Sequence, residues 1–221
     1  PDGDTGTNMM LTMQFALQEV KSNSDCRVSS AAKSLAHGAL MGARGNSGVI
    51  LSQFFRGFAK GLEGKTSFDG ADFARALAGA SQTAYKGIAN PVEGTILTVL
   101  KDASKAAQKA VKDDGALVVV LEVAVRAAEE SVARTPSLLP ALRDAGVVDA
   151  GGQGLYVLLD GALQFLKGES QKIQYRRPRL VVAEKELVPR AAQRLTYLEM
   201  PHGYCTNFVL EGRNLDPGKI E

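Results

Sequence analysis

From Asn8 to Lys167 apolar residues recur at helical spacing, and that period restricts the first two-thirds of the chain to an all-α fold. In the segment from Thr95 to Val111, Ile96, Val99, Leu100, Ala103, Ala107 and Ala110 fall on one face. Lys101, Lys105 and Lys109 form a stripe on the other, which reads as a solvated surface. Asp69 precedes a second such segment, with Phe73, Leu77, Ala80 and Ala84 inward, and is placed to cap its first turn. Further helices are predicted over about 8–21, 29–41, 47–62, 117–134, 137–144 and 152–167. The run from Leu117 to Leu121 would suit a buried strand equally well; only its continuation into Ala127, Ala128, Glu129 and Glu130 favours helix.

After Gly168 the texture alternates. Ile173 and Tyr175, Leu180 to Val182, Leu195 to Leu198 and Tyr204 to Leu210 are strand-like pieces, separated by prolines at 178, 189, 201 and 217. The expected organisation is a helical domain over 1–167, then a linker and the short β-like start of a middle domain over 168–221. At 221 residues and 45% hydrophobic the chain can bury a real core, which argues against disorder. Lys plus Arg is 26 against 24 for Asp plus Glu, and a net charge of +2 supplies no field for a nucleic-acid duplex or an anionic membrane. The longest apolar run, Ala116 to Leu121, is far short of the roughly 20 residues that span a bilayer, so no transmembrane segment is expected. Cys26 and Cys205 show no CxxC or Cys/His spacing, so neither a disulfide framework nor a zinc cluster is expected, which fits a soluble, cytoplasmic protein. A start at Pro1, with neither an initiator methionine nor a signal peptide, reads as the interior of a longer protein.

Chemistry concentrates in three glycine-rich stretches. The first runs from Pro1 to Met9. Asp2 and Asp4, one residue apart among Gly3 and Gly6, form an oxygen-ligand cluster suited to a hard cation. A calcium loop counted from Asp2 would need glycine and glutamate where Thr7 and Met13 stand, so the EF-hand pattern fails; magnesium, content with one or two carboxylates, waters and phosphates, fits better. The helix starting near Asn8 would aim its free amides at the same loop, beside the Thr5 and Thr7 hydroxyls. An Asp/Gly surface turn with a helix cap is the competing reading. The second stretch, Gly42 to Gly48, delivers Gly45, Asn46, Ser47 and Gly48 to another helix start, as an anion nest or as a capped helix-helix turn. The third, Asp149 to Gly154, precedes the last long helix. Alternate connections of a bundle lie at one end, so the three can converge on one nucleotide.

Other patterns carry less. Gly64-Lys65-Thr66 resembles the tail of a P-loop, but Ala59 stands where the first glycine is required and helix precedes it. Gly152-Gln-Gly154 has Val157 in place of a third glycine and no βαβ unit around it. His37 and His202 have no Cys or Ser beside them and are expected in packing or capping roles.

Taken together, Pro1 to Met9, Gly38 to Gly48, Glu93 to Thr98 and Asp149 to Gly152 resemble the nucleotide-binding L-subunit of the dihydroxyacetone kinases, and more closely the ATP-binding subunit of bacterial fatty acid kinases. The resemblance covers about residues 1–167. It implies an antiparallel barrel of about eight helices with ATP and two Mg²⁺ ions at one end. Asp2 and Asp4 would hold the metals and serve catalysis, Thr5, Gly6, Thr7 and Asn8 would approach the phosphates, and Gly45, Asn46, Ser47 and Gly48 the nucleotide. Thr95 and Ile96 would line the adenine side, and Asp149 and Gly151 would close the pocket. It implies also a third aspartate slightly ahead of the equivalent of Asp2, a truncated first helix, and a middle domain opening at Tyr204 to Asn207. In fatty acid kinases a DegV-type fatty-acid-binding partner presents the fatty acid, and the product is an acyl phosphate that feeds phospholipid synthesis. Nothing on this chain looks like an acyl tunnel, in keeping with a substrate carried by such a partner; the reading admits a homodimer. The alternatives are a dihydroxyacetone kinase-like phosphotransfer subunit and a non-catalytic nucleotide-sensing module.

Overall fold

The computed structural model describes residues 4–169, and among them every regular element is helical. The elements are α1 (Thr5–Ser22), α2 (Val28–Met41), α3 (Gly45–Gly61), α4 (Gly70–Lys86), α5 (Ile96–Asp113), α6 (Leu117–Leu138), α7 (Pro140–Ala145) and α8 (Ala150–Leu166). The strand-like pieces expected after Gly168, with Cys205 and His202, lie outside the described residues.

Helical period translates directly into burial. All six apolar positions read onto one face of α5 are in the core, as are Phe73, Leu77, Ala80 and Ala84 of α4. Asp69 caps α4 by accepting from the Asp72 N–H at 2.8 Å. Leu117 to Leu121 is the first turn of a helix that packs against α4, α5 and α8, so tertiary burial overrides the strand propensity of its valines. Each helix from α1 to α6 packs on the next, α6 packs on α8, and α8 returns to α1 and α5, so the succession of neighbours closes on itself. Alanine fills much of the interface, and glycine lets backbones touch: a Cβ on Gly57 of α3 would stand 2.5 Å from the Gly79 carbonyl oxygen of α4.

The helix between 137 and 144 is redrawn. α6 continues through Pro136 to Leu138, and a separate short helix starts with Pro140 in its first turn, where a missing N–H is harmless. Inside a helix proline forfeits one backbone bond, here to the Val132 carbonyl. The Thr135 hydroxyl donates to that carbonyl at 2.7 Å instead. The lysine stripe divides too: Lys105 and Lys109 are exposed, whereas Lys101 pairs with Glu93 at 2.6 Å and lies 5.5 Å from the Tyr85 ring centre. His37 is exposed on α2, a solvated position and not a packed one.

Helix starts sort to two ends. At one, the Val28 and Ser29 amides of α2 donate to the Thr66 and Lys65 carbonyls at 3.1 and 3.0 Å, and Gly70 of α4 abuts Gly115 just ahead of α6. The starts of α1, α3, α5 and α8 meet at the other.

Candidate nucleotide site

Asp2 lies outside the described residues; Asp4 is exposed at the cap position of α1. Helix α1 begins three residues before Asn8, the expected start, because the Asn8 amide already donates to the Asp4 carbonyl at 2.9 Å. Thr5, Gly6 and Thr7 therefore form the first helical turn, whose amides have no intrahelical partner. The Asp4 carboxylate does not cap them: it accepts from the Asn8 side-chain amide at 2.8 Å. A Cβ on Gly6 would meet nothing within 4 Å, so this turn has an open face.

α3 begins against that turn. Gly45 has φ +57°, and a Cβ there would stand 2.5 Å from Asn8 Nδ2, so backbone sign and space both select glycine. Gly45, Asn46, Ser47 and Gly48 thus lie in the first turn of α3, two residues ahead of the predicted start, and no side chain of its cap residue Arg44 closes it. Gly48 is buried, with space for a Cβ taken by Thr12 Oγ1.

Two further starts join these. Thr95 caps α5, accepting from Leu97 N–H at 3.4 Å and donating to the Val92 carbonyl at 2.7 Å. Ile96 is buried, and a Cβ on Gly151 of α8 would stand 3.3 Å from its Cβ. α8 begins at Ala150, two residues ahead of the predicted start, so Gly151 joins Gly152 and Gly154 as a helical residue and the glycine-rich stretch is the first turn of the helix, not a loop ahead of it. Close approach explains them: a Cβ on Gly152 would be 2.7 Å from Val99 Cγ2, and one on Gly154 2.6 Å from Met9 Sδ of α1. Asp149 ties α5 to α8, since its carboxylate accepts from the Gly152 N–H at 2.7 Å and from the Ile96 N–H. Burial pushes its pKa up, against those two hydrogen bonds.

Three residues not singled out from the sequence hold the connections in place. Thr12, with no exposed surface, accepts from Arg44 N–H at 3.3 Å and donates to the Asn8 carbonyl at 2.8 Å. Thr98 accepts from Gly94 N–H at 2.8 Å and donates to Glu93 at 2.6 Å. Thr135 accepts from Asp149 N–H at 3.0 Å. Thr12 and Thr135 stand on otherwise apolar helix faces, and that misfit is the signal available in the sequence, whereas Thr98 falls on the lysine side of α5 and carries no such signal. A groove of about 790 Å³ along α3 and α4, edged by Arg56, Lys60, Arg75 and Lys86, includes none of the residues singled out for nucleotide or metal.

Residues 1–164 match the DAK2 domain. The chain belongs to the DAK2 domain family. That family is kinase-related, of the dihydroxyacetone kinase L-subunit type. The DAK2 domain chain is 48% identical to an uncharacterized protein of Staphylococcus epidermidis over 216 residues, 97% of this chain and 39% of that one. It is 43% identical to Protein YloV of Bacillus subtilis over 225 residues, 100% of this chain and 40% of the relative. An uncharacterized Staphylococcus aureus protein is 47% identical over 169 residues, 76% of this chain and 31% of its own. The DAK2 domain chain thus spans at most about two-fifths of these curated relatives. Among the described residues no helix is long and apolar enough to cross a membrane.

Proposed function

We propose that this DAK2 domain binds Mg·ATP where α1, α3, α5 and α8 begin, and is the ATP-binding part of a fatty acid kinase. The observation that carries the nucleotide reading is the pair of adjoining helix starts, α1 and α3, neither closed by a side-chain cap, with an open face at Gly6. Two such starts offer uncapped amides and aligned dipoles to an anion. Fit for magnesium rests on Asp4, an exposed carboxylate beside those amides, with Asp2 two residues earlier in the chain. Mg²⁺ ions held there would supply charge neutralisation at the β- and γ-phosphate oxygens. Asp2 and Asp4 hold the ions; Thr5, Gly6, Thr7, Asn8, Gly45, Asn46, Ser47 and Gly48 surround the phosphates; Thr95, Ile96, Asp149 and Gly151 bound the nucleoside side.

A fatty acid acceptor asks for no base at the site. A carboxylate is ionised at neutral pH, so phosphoryl transfer to it needs alignment and neutralisation and no proton removal. The acceptor is presented by a DegV-type lipid-binding protein, and an acyl phosphate leaves; the setting is cytoplasmic and the chain is free to pair as a homodimer. Asp2→Asn and Asp4→Asn should each weaken Mg-dependent ATP binding by at least about tenfold, the loss of one charged ligand. Calorimetry showing unchanged Mg·ATP affinity in both variants refutes the metal assignment. Labelled ATP with a lipid-loaded partner or a triose-binding partner then separates the fatty acid kinase from a dihydroxyacetone kinase-like subunit, and binding without transfer to either marks a nucleotide sensor.

A further inference from the structure

We propose that Thr135 is a positioning residue for the nucleotide site, fixing Asp149 and the first turn of α8 through a hydroxyl whose proton is already committed; this rests on the nucleotide reading above. Thr135 lies on α6, has no exposed surface and is not among the residues that surround the nucleotide. Pro136 follows it. Because proline brings no N–H, the Val132 carbonyl one turn earlier lacks its usual donor. The Thr135 hydroxyl donates to that carbonyl at 2.7 Å, which leaves only its lone pairs for the other side. On that side the Asp149 N–H donates to it at 3.0 Å.

The polarity of this chain is therefore set by the Thr-Pro pair. With its amide held, Asp149 keeps its carboxylate on Gly152 N–H at 2.7 Å and on Ile96 N–H, and so sets the starts of α8 and α5 together. Backbone specifics agree: the segment leading to Asp149 leaves α7 through Gly146 at φ +69°, its Gly146 and Val147 amides bond back to α7 at 3.1 Å, and the Asp149 N–H bond to Thr135 then ties it to α6. Serine can reproduce both bonds. Valine, similar in shape, can make neither, and leaves a buried carbonyl and a partly buried amide unpaired.

The test uses the 221-residue chain and its Thr135→Val and Thr135→Ser variants. Amide hydrogen exchange without nucleotide should quicken by about tenfold or more at Asp149 and Gly152 in Thr135→Val, with Leu51 and Leu77 unchanged, while Thr135→Ser stays near wild type. Calorimetric Mg·ATP affinity should fall by about tenfold in Thr135→Val and be restored in Thr135→Ser. If Thr135→Val does not fold, Thr135→Cys, close in size but a weak hydrogen-bonding group, replaces it with smaller shifts in the same direction. Unchanged exchange at Asp149, or an unchanged affinity beside normal wild-type binding, overturns the positioning role alone. A wild-type chain that binds no Mg·ATP overturns the nucleotide reading itself, whatever the exchange shows.

Discussion

Gly6 and Gly45 stand on the two adjoining helix starts and are glycines for different reasons. Gly45 is held at φ +57° with the Asn8 amide against it, so Gly45→Ala should cost about 1–2 kcal/mol for the left-handed backbone and displace Asn8 as well. Gly6 has φ in the helical range and open space where a Cβ would be. Gly6→Ala should leave stability unchanged or raised by up to about 1 kcal/mol, because alanine is the better helix former. It should nevertheless weaken Mg·ATP binding, since the methyl occupies the face an anion must approach. Urea unfolding and calorimetry on the same sample separate the two effects; a Gly6→Ala chain with full affinity would remove that face from the site. Ser47→Ala, in the first turn of α3, is expected to lower affinity with helical content intact by circular dichroism, and unaltered affinity would leave Ser47 a structural residue.

At the level of elements, glycine in α8 serves packing at one position and nothing at another. Gly152→Ala would drive a methyl to 2.7 Å from Val99 in the core and should destabilise by about 1–3 kcal/mol. Gly161→Ala meets nothing within 4 Å and should stabilise by up to about 1 kcal/mol through helix propensity. Thermal melts of the pair decide: equal shifts would mean that α8 does not cross α5 as described. The same glycines show what could be read beforehand. Apolar period exposed the helices because it records a buried face, and Asp69 was legible because a cap acts within four residues. The start of α8 around Gly151, Gly152 and Gly154 was hard to place because glycine signals a turn and a close helix crossing alike, and only Val99, Ile96 and Met9, distant in sequence, tell them apart. Thr12, Thr98 and Thr135 escaped for the same reason: their partners Arg44 and Asp149 lie 32 and 14 residues away, and even Gly94, four away, becomes a partner only once the loop closes. Pro136 hid the length of α6, since the hydroxyl that compensates for it is not visible as a compensator until the helix is built.

For the whole molecule, acid should act in two opposed steps. Asp149 has its pKa raised by burial, so between the unfolded value of about 3.9 and its higher folded value the native state holds the proton more tightly. Stability from this group grows as pH falls through that window and is lost as pH rises through the folded pKa. Asp72 and Glu93 run the other way. The Lys65 ammonium, with Arg75, holds the Asp72 carboxyl below its usual range, and Lys101, with Thr98, does so for Glu93. Their contribution is complete above the unfolded values of about 3.9 and 4.3 and disappears as pH falls through the lower folded ones. Both are paired with partly exposed cations, so screening by solvent and salt keeps each effect small. Urea midpoints measured from pH 7 downward should therefore rise slightly before falling below about pH 4. Asp149→Asn, which keeps an acceptor for the Gly152 amide but cannot titrate, should lose the rise and retain the fall. A wild-type profile that only declines, or an Asp149→Asn profile that still rises, would show that the carboxylate joining α5 to α8 titrates like one in open water.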